Sequence, residues 1–134
     1  MSETVARVLD VGNCDPDHAA IRGMLERSFA VTVDRVMHVD EALAAMRRAR
    51  YDLVLVNRLI FADRSPGIDL IHRARSDAAL ADVPIMLVSN HADVRAAAVA
   101  AGGVEGFGKA SIGSRETIER LARHLPRAAG APQR

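Results

Sequence analysis

The chain has 134 residues, with 18 Lys+Arg against 17 Asp+Glu and a formal net charge of +1. That length suits one compact domain, and 49% hydrophobic with 26% charged residues is the balance of a globular protein, not a disordered or fibrous one. The near-zero charge argues against a strongly basic nucleic-acid binder, the single cysteine excludes an intramolecular disulfide and a multi-cysteine zinc site, and no apolar run nears the roughly 18 residues of a membrane span. Met1-Ser2-Glu3-Thr4 lacks the basic start of a signal peptide, so a soluble cytoplasmic protein is expected, with no membrane partner. Seventeen of the eighteen basic residues are arginine; the one lysine is Lys109.

Along the chain, hydrophobic periods alternate between strand and helix. Val5 to Val11 is short and β-branched-rich and reads as a strand, interrupted only by Asp10. Asp15-Pro16-Asp17 is a helix start in which Asp15 reads as the cap, and Ile21, Met24, Leu25 and Phe29 follow at helical spacing. Val31, Val33 and Val36 mark a second strand. Asp40 is the expected cap of a second helix with Ala42, Leu43, Met46 and Ala49 inward.

Leu53 to Val56 is an uninterrupted apolar run, the signature of a strand covered on both faces in a parallel sheet. A loop through Arg64, Pro66 and Gly67 leads to a short helix with Ile68, Ile71 and Ala74 inward. Ile85 to Val88 is a second such run, and Asp93 is the expected cap of an alanine-rich helix stopping at Gly102-Gly103. Gly106-Phe107-Gly108 reads as a weak fifth strand. Ser114 starts a last helix with Ile118, Leu121, Ala122 and Leu125 on one face. Residues 1–125 are then the domain, and 126–134 a flexible tail without apolar period.

Strict strand–helix alternation implies a parallel sheet with right-handed crossovers and helices on both faces. In such folds chemistry gathers at the carboxyl ends of the strands. The candidate residues there are Asn13, Cys14 and Asp15, then Asn57 and Arg58, then Ser89 and Asn90, and finally Lys109.

These positions resemble the receiver domain of bacterial response regulators over roughly residues 5 to 125. The matching segments are Asp15-Pro16-Asp17, Tyr51 to Val56, Pro84 to Ser89, and Gly106-Phe107-Gly108-Lys109. The resemblance implies a flavodoxin-like (βα)5 three-layer α/β/α sandwich with strand order 2-1-3-4-5. It also implies a place in two-component or phosphorelay signalling. A receiver holds Mg²⁺ with an acidic pair after the first strand and an aspartate after the third. That aspartate takes the phosphoryl group, and a Ser/Thr and a Lys contact its oxygens.

This chain departs at every acidic position. Asn57 stands where the phospho-acceptor aspartate is expected, and an amide is not a nucleophile. Asn13 and Cys14 stand where the acidic pair is expected, and a thiol is too soft for magnesium. Ser89 and Lys109 keep the hydroxyl and lysine places, and Phe107 is the nearest match to the family's switch aromatic. The expectation is therefore a pseudo-receiver: no enzyme, no Mg²⁺ and no metal site. It is expected to act through a protein partner, a histidine kinase or an output protein. A homodimer is possible across the fourth-helix, fifth-strand and fifth-helix face, which includes Val94, Ala98, Phe107 and Ile118 or their exposed neighbours.

Two alternatives stay open. Loss of three carboxylates beside Ser89 and Lys109 makes a pocket for a small anion or metabolite. Alternatively Asp10, Asp15 or Asp63 serves residual phosphotransfer. Lys109 is expected to hydrogen-bond the Asn57 carbonyl or an acid such as Asp10 or Asp15. Cys14 lies at a helix start, where a thiolate is favoured, although a half-buried inert thiol is commoner. His18, His38, His72, His91 and His124 show no metal-binding spacing and read as surface or helix-end residues. Arg47, Arg48 and Arg50 complement the dipole of the second helix, without nucleic acid. Leu59, Ile60 and Phe61 either pack under the loop after the third strand or form an exposed patch.

Overall fold

A computed structural model describes residues 5–129. Its elements run β1 (Ala6–Val11), α1 (Asp15–Ser28), β2 (Val31–Val36), α2 (Val39–Arg48), β3 (Leu53–Asn57), α3 (Ile68–Arg75), β4 (Ile85–Val88), α4 (Ala92–Ala100) and α5 (Arg115–Ala122). The strands pair in parallel in the order β2-β1-β3-β4. This is the flavodoxin-like α/β arrangement.

Period-2 alternation sends neighbouring strand residues to opposite faces. Leu9, Val54, Val56 and Leu87 meet Leu43, Met46, Ile71 and Ala98, so α2, α3 and α4 cover one face. Val8, Leu55, Met86 and Val88 meet Ile21, Leu25, Ile118 and Leu121, so α1 and α5 cover the other. The continuous apolar runs in β3 and β4 are buried throughout because each strand has helices on both sides. Edge strand β2 is only half-buried and carries Asp34 and Arg35, charges that discourage pairing with another sheet.

The expected fifth strand is not a strand. Residues 104–107 lie along β4, with Val104 N–H donating to Ile85 O at 2.9 Å and Ser89 N–H to Phe107 O at 3.0 Å. Only one parallel bridge forms there, between Met86 and Val104. Gly106 explains the irregularity: a Cβ on it would stand 2.3 Å from Leu87 O. Its lack of side chain lets the backbones approach more closely than a regular ladder allows.

Three helix starts also differ from expectation. Cys14, His38 and His91 occupy the cap positions, placing Asp15, Asp40 and Asp93 inside the first turns. There the carboxylates favour the positive end of the helix dipole without acting as caps. Ser114 does cap α5, its hydroxyl accepting from Thr117 N–H at 3.2 Å. The expected tail is partly tied down as well. Ala30 N–H donates to Pro126 O at 2.9 Å and Ala128 N–H to Ser28 O at 3.1 Å, while Arg127 stacks over the Phe29 ring. The remainder of that tail, 130–134, lies outside the described residues.

On the face of α4, the segment before Lys109 and α5, the named apolar residues turn inward, which leaves that face to their exposed neighbours. Phe107 is fully buried, Ala98 and Ile118 are buried, and Val94 is half-buried. Phe107, the nearest match to a switch aromatic, lies in the core cluster with Met86, Val88 and Leu121. No helix among the described residues is long and apolar enough to cross a membrane.

Candidate functional site

The carboxyl ends of β3 and β4 bring Asn57, Ser89 and Lys109 together. With Arg58, Leu59, Val88, Asn90 and His91 they line a cleft of about 190 Å³. Asn13 and Cys14 lie outside its walls, in the turn from β1 to α1.

Four side chains of the cleft are engaged within the chain, whereas Arg58 and His91 have no side-chain hydrogen bond or ion pair among the described residues. The Asn57 amide nitrogen donates to Leu59 O at 2.7 Å and to Gly12 O at 3.3 Å, stapling its own loop to the end of β1. The Ser89 hydroxyl accepts from His91 N–H at 3.1 Å, at the entry to α4. Asn90 Oδ1 accepts from Ala110 N–H at 2.8 Å. Lys109, in a single 3-10 turn, gives its ammonium to Asp17 at 2.6 Å.

The lysine thus meets an acid, but Asp17 and not Asp10, Asp15 or the Asn57 carbonyl. Asp15 is the first residue of α1 and Asp17 the third, about 200° apart around the helix axis. Asp15 faces β2, where Arg35 meets it at 2.8 Å, and Asp17 faces the lysine. The Lys109 hydrogen bond, helped by the Cys14 thiol, holds the Asp17 carboxyl below the usual carboxylate range against partial burial. A carboxylate lowered in this way stabilises the fold above its unfolded-state pKa of about 3.9, and the contribution disappears as pH falls through the lower folded value. Asp17→Asn is thus expected to flatten the loss of stability below about pH 4 in urea titrations. An unchanged acid limb would show that the pair contributes nothing.

Beneath the site lies a second cluster. Asp10 is fully buried in the middle of β1, a costly place for an acid. It accepts from the Asn13 amide at 2.6 Å and pairs with His18 Nδ1 at 2.6 Å. His18 is consequently a buried-pair partner, with its side chain only 14% exposed, and not a surface histidine. Asn13 is itself buried and leaves its Oδ1 without a hydrogen-bond partner. Its backbone carbonyl accepts from Arg35 at 2.8 Å.

Beyond Leu59, the loop after β3 leaves the cleft wall. Leu59 bridges to Pro66, Ile60 is buried as the anchor, and Phe61 is 63% exposed. The loop thus divides between the two expected roles. Asp63 turns to the Ser65 hydroxyl and N–H at 2.7 and 2.9 Å, so it does not fold back over the site.

A magnesium ion of the kind receivers use needs several hard, anionic oxygens converging in octahedral geometry. Asp10 is held by Asn13 and His18, Asp17 by Lys109, and Asn57 presents a donating amide. Asp15 turns outward to Arg35, and the oxygens left on Asn13 and Asn57 are neutral amide oxygens, the former buried near a soft thiol. This donor set does not fit the ion. Asp17 and His18 were not singled out from sequence; the acidic first turn was the only signal for Asp17, and nothing marked His18 as the partner of a residue on β1.

No protein-family model matches the chain, and no curated protein matches it. Solved structures do. A putative response regulator from Chloroflexus aurantiacus superimposes with a TM-score of 0.79 at 20% identity, over 91% of this chain and 98% of that one. The fold is a receiver fold. A response regulator from Thermotoga maritima gives a TM-score of 0.72 at 24% identity, over 90% and 97% of the two chains. NtrX from Brucella abortus gives 0.74 at 21% identity over 91% of this receiver fold, which spans only 27% of the NtrX chain.

Proposed function

We propose that the protein is a receiver-like signalling module that works without phosphorylation at Asn57 and passes its signal through protein–protein contact. The observation that carries this reading is the use of the phospho-acceptor place as a structural staple. Asn57 supplies an amide N–H to two backbone carbonyls, a role a carboxylate cannot fill. The Lys109–Asp17 pair supports it further, because the ammonium that would meet a phosphoryl group is held within the chain. The same pair weighs against an open anion pocket. The partner is a signalling protein, a histidine kinase or an output protein, met in the cytoplasm.

The test is incubation with a small phosphodonor and Mg²⁺ followed by intact mass measurement. Neither the protein nor Asn57→Asp is expected to gain a phosphoryl group. The single substitution supplies a nucleophile but restores neither metal ligand at Asn13 and Cys14, and it removes the donor that holds the loop. A phosphoryl increment on the unmodified protein overturns the reading.

A further inference from the structure

Most arginines of this chain have an anion or a carbonyl to meet. Arg73 reaches Asp40 at 2.7 Å, and Arg47 reaches Asp77 at 3.0 Å. Arg75 spends three donors on the carbonyls of Gly102, Leu80 and Val83. Among the described residues, the side chains of Arg27, Arg48, Arg50, Arg58, Arg64 and Arg123 form no ion pair or hydrogen bond, and of these Arg48, Arg50 and Arg123 come together. All three line one cleft of about 620 Å³. It lies where the chain enters β3 and β4 and where α2 and α5 end, at the opposite end of the sheet from Asn57 and Lys109.

We propose that this cleft binds an anion carrying two or more phosphoryl groups. The usual explanation for arginine at a helix C-terminus covers only part of the charge. Each helix end carries about half a negative charge, so α2 and α5 together offset about one guanidinium of the three. Two carboxylates stand in the cleft wall and offset part of this charge: Asp52 accepts from the Arg7 backbone N–H at 2.9 Å, and Asp82 lies in the field of Arg75. What favours an anion is therefore the convergence of three unpaired guanidinium groups and not net charge. His124, in the same wall, is held below the ordinary histidine range by burial and by the charge of Arg123.

Guanidinium, a planar fork of donors, suits phosphoryl oxygens better than a point charge does. Three forks from separate segments, α2, the turn into β3 and the end of α5, suit a ligand with several such groups. The walls also carry Met46, Val83 and Pro84, apolar surface against which a nucleoside can rest.

The whole protein is titrated with inorganic pyrophosphate, and separately with ADP, at an ionic strength of about 0.15 M. Arginine Nε–H and histidine ring signals are followed by NMR. Saturable shifts at Arg48, Arg50, Arg123 and His124 are expected. Arg50→Gln/Arg123→Gln is expected to weaken binding by at least about tenfold, as befits the loss of charge-assisted hydrogen bonds. Arg64→Gln, an exposed arginine outside the cleft, should leave affinity unchanged. Tighter binding of ADP than of pyrophosphate identifies a nucleotide as the source of the phosphoryl groups, and equal binding a free polyphosphate. Signals that stay still with both ligands overturn the proposal. So does an equal loss of affinity in Arg64→Gln, which marks a diffuse charge effect.

Discussion

Asn13→Asp, the change that returns the first acidic residue of a receiver, is expected to destabilise this protein by about 3 kcal/mol or more. The Asn13 amide is one of only two partners of a fully buried carboxylate, and donates to Asp10 at 2.6 Å. Aspartate at that position removes the donor and sets a second negative charge against the first, with no water to screen either. The exchange Asp10→Asn/Asn13→Asp puts a donor and a carboxylate back on the same contact with their roles reversed. It is expected to recover stability over Asn13→Asp alone, a coupling of about 1–3 kcal/mol in a double-mutant cycle by urea unfolding. If Asn13→Asp proves as stable as the parent, the Asp10 carboxylate does not depend on its amide. The prediction bears on function, because it ties the missing metal ligand to the presence of Asp10. An aspartate at position 13 therefore requires a compensating change at Asp10.

Gly67→Ala is the second large effect expected. The residue has φ −63° and ψ −28°, helical values that alanine adopts without strain, so the cost is purely steric. A Cβ there would stand 1.9 Å from the Asn57 carbonyl oxygen, 3.0 Å from its carbon and 3.1 Å from Val56 Cγ2. The closest obstacle is backbone at the end of a central strand, which cannot rotate aside as a side chain can. The Gly67 N–H also donates to Arg58 O at 2.7 Å, so α3 cannot back away without losing that bond. The expected loss is about 3 kcal/mol or more, at the upper end for overpacking in a core. It should appear as a lower urea midpoint with the slope preserved. An alanine variant of parental stability would show that the β3–α3 loop is far more plastic than its hydrogen bonds indicate.

Much of the architecture was legible because it rests on local pattern. The uninterrupted runs at 53–56 and 85–88 need two covered faces, and the helical spacing of Ile21, Met24 and Leu25 supplies one of the covers. The fifth strand was misread because propensity cannot express how closely Gly106 brings the chain to Leu87 O. The burial of Phe107 is not legible for a related reason: an aromatic near a strand end reads equally well as surface or core, and only the positions of α5 and β4 bury it.

The candidate site divides in the same manner. The departures at Asn13, Cys14 and Asn57 are matters of residue chemistry: an amide is not a nucleophile, and a thiol is a poor magnesium ligand whatever surrounds it. The sole lysine could likewise be placed after the last strand position from sequence. Its partner could not, because Asp17 is 92 residues away and faces it only through the rotation of α1. Nor could the pairing of Asp10 with His18 be read, since β1 and α1 must first pack before a mid-strand acid meets a helical histidine at 2.6 Å. What the amino-acid sequence determined alone was the layer order of the fold and the absence of carboxylates from the expected pocket positions, because period and side-chain chemistry are local. Tertiary structure decided which charges meet. A carboxylate's energy depends on its distance from partners and on exclusion of water, and neither exists until the helices close on the sheet.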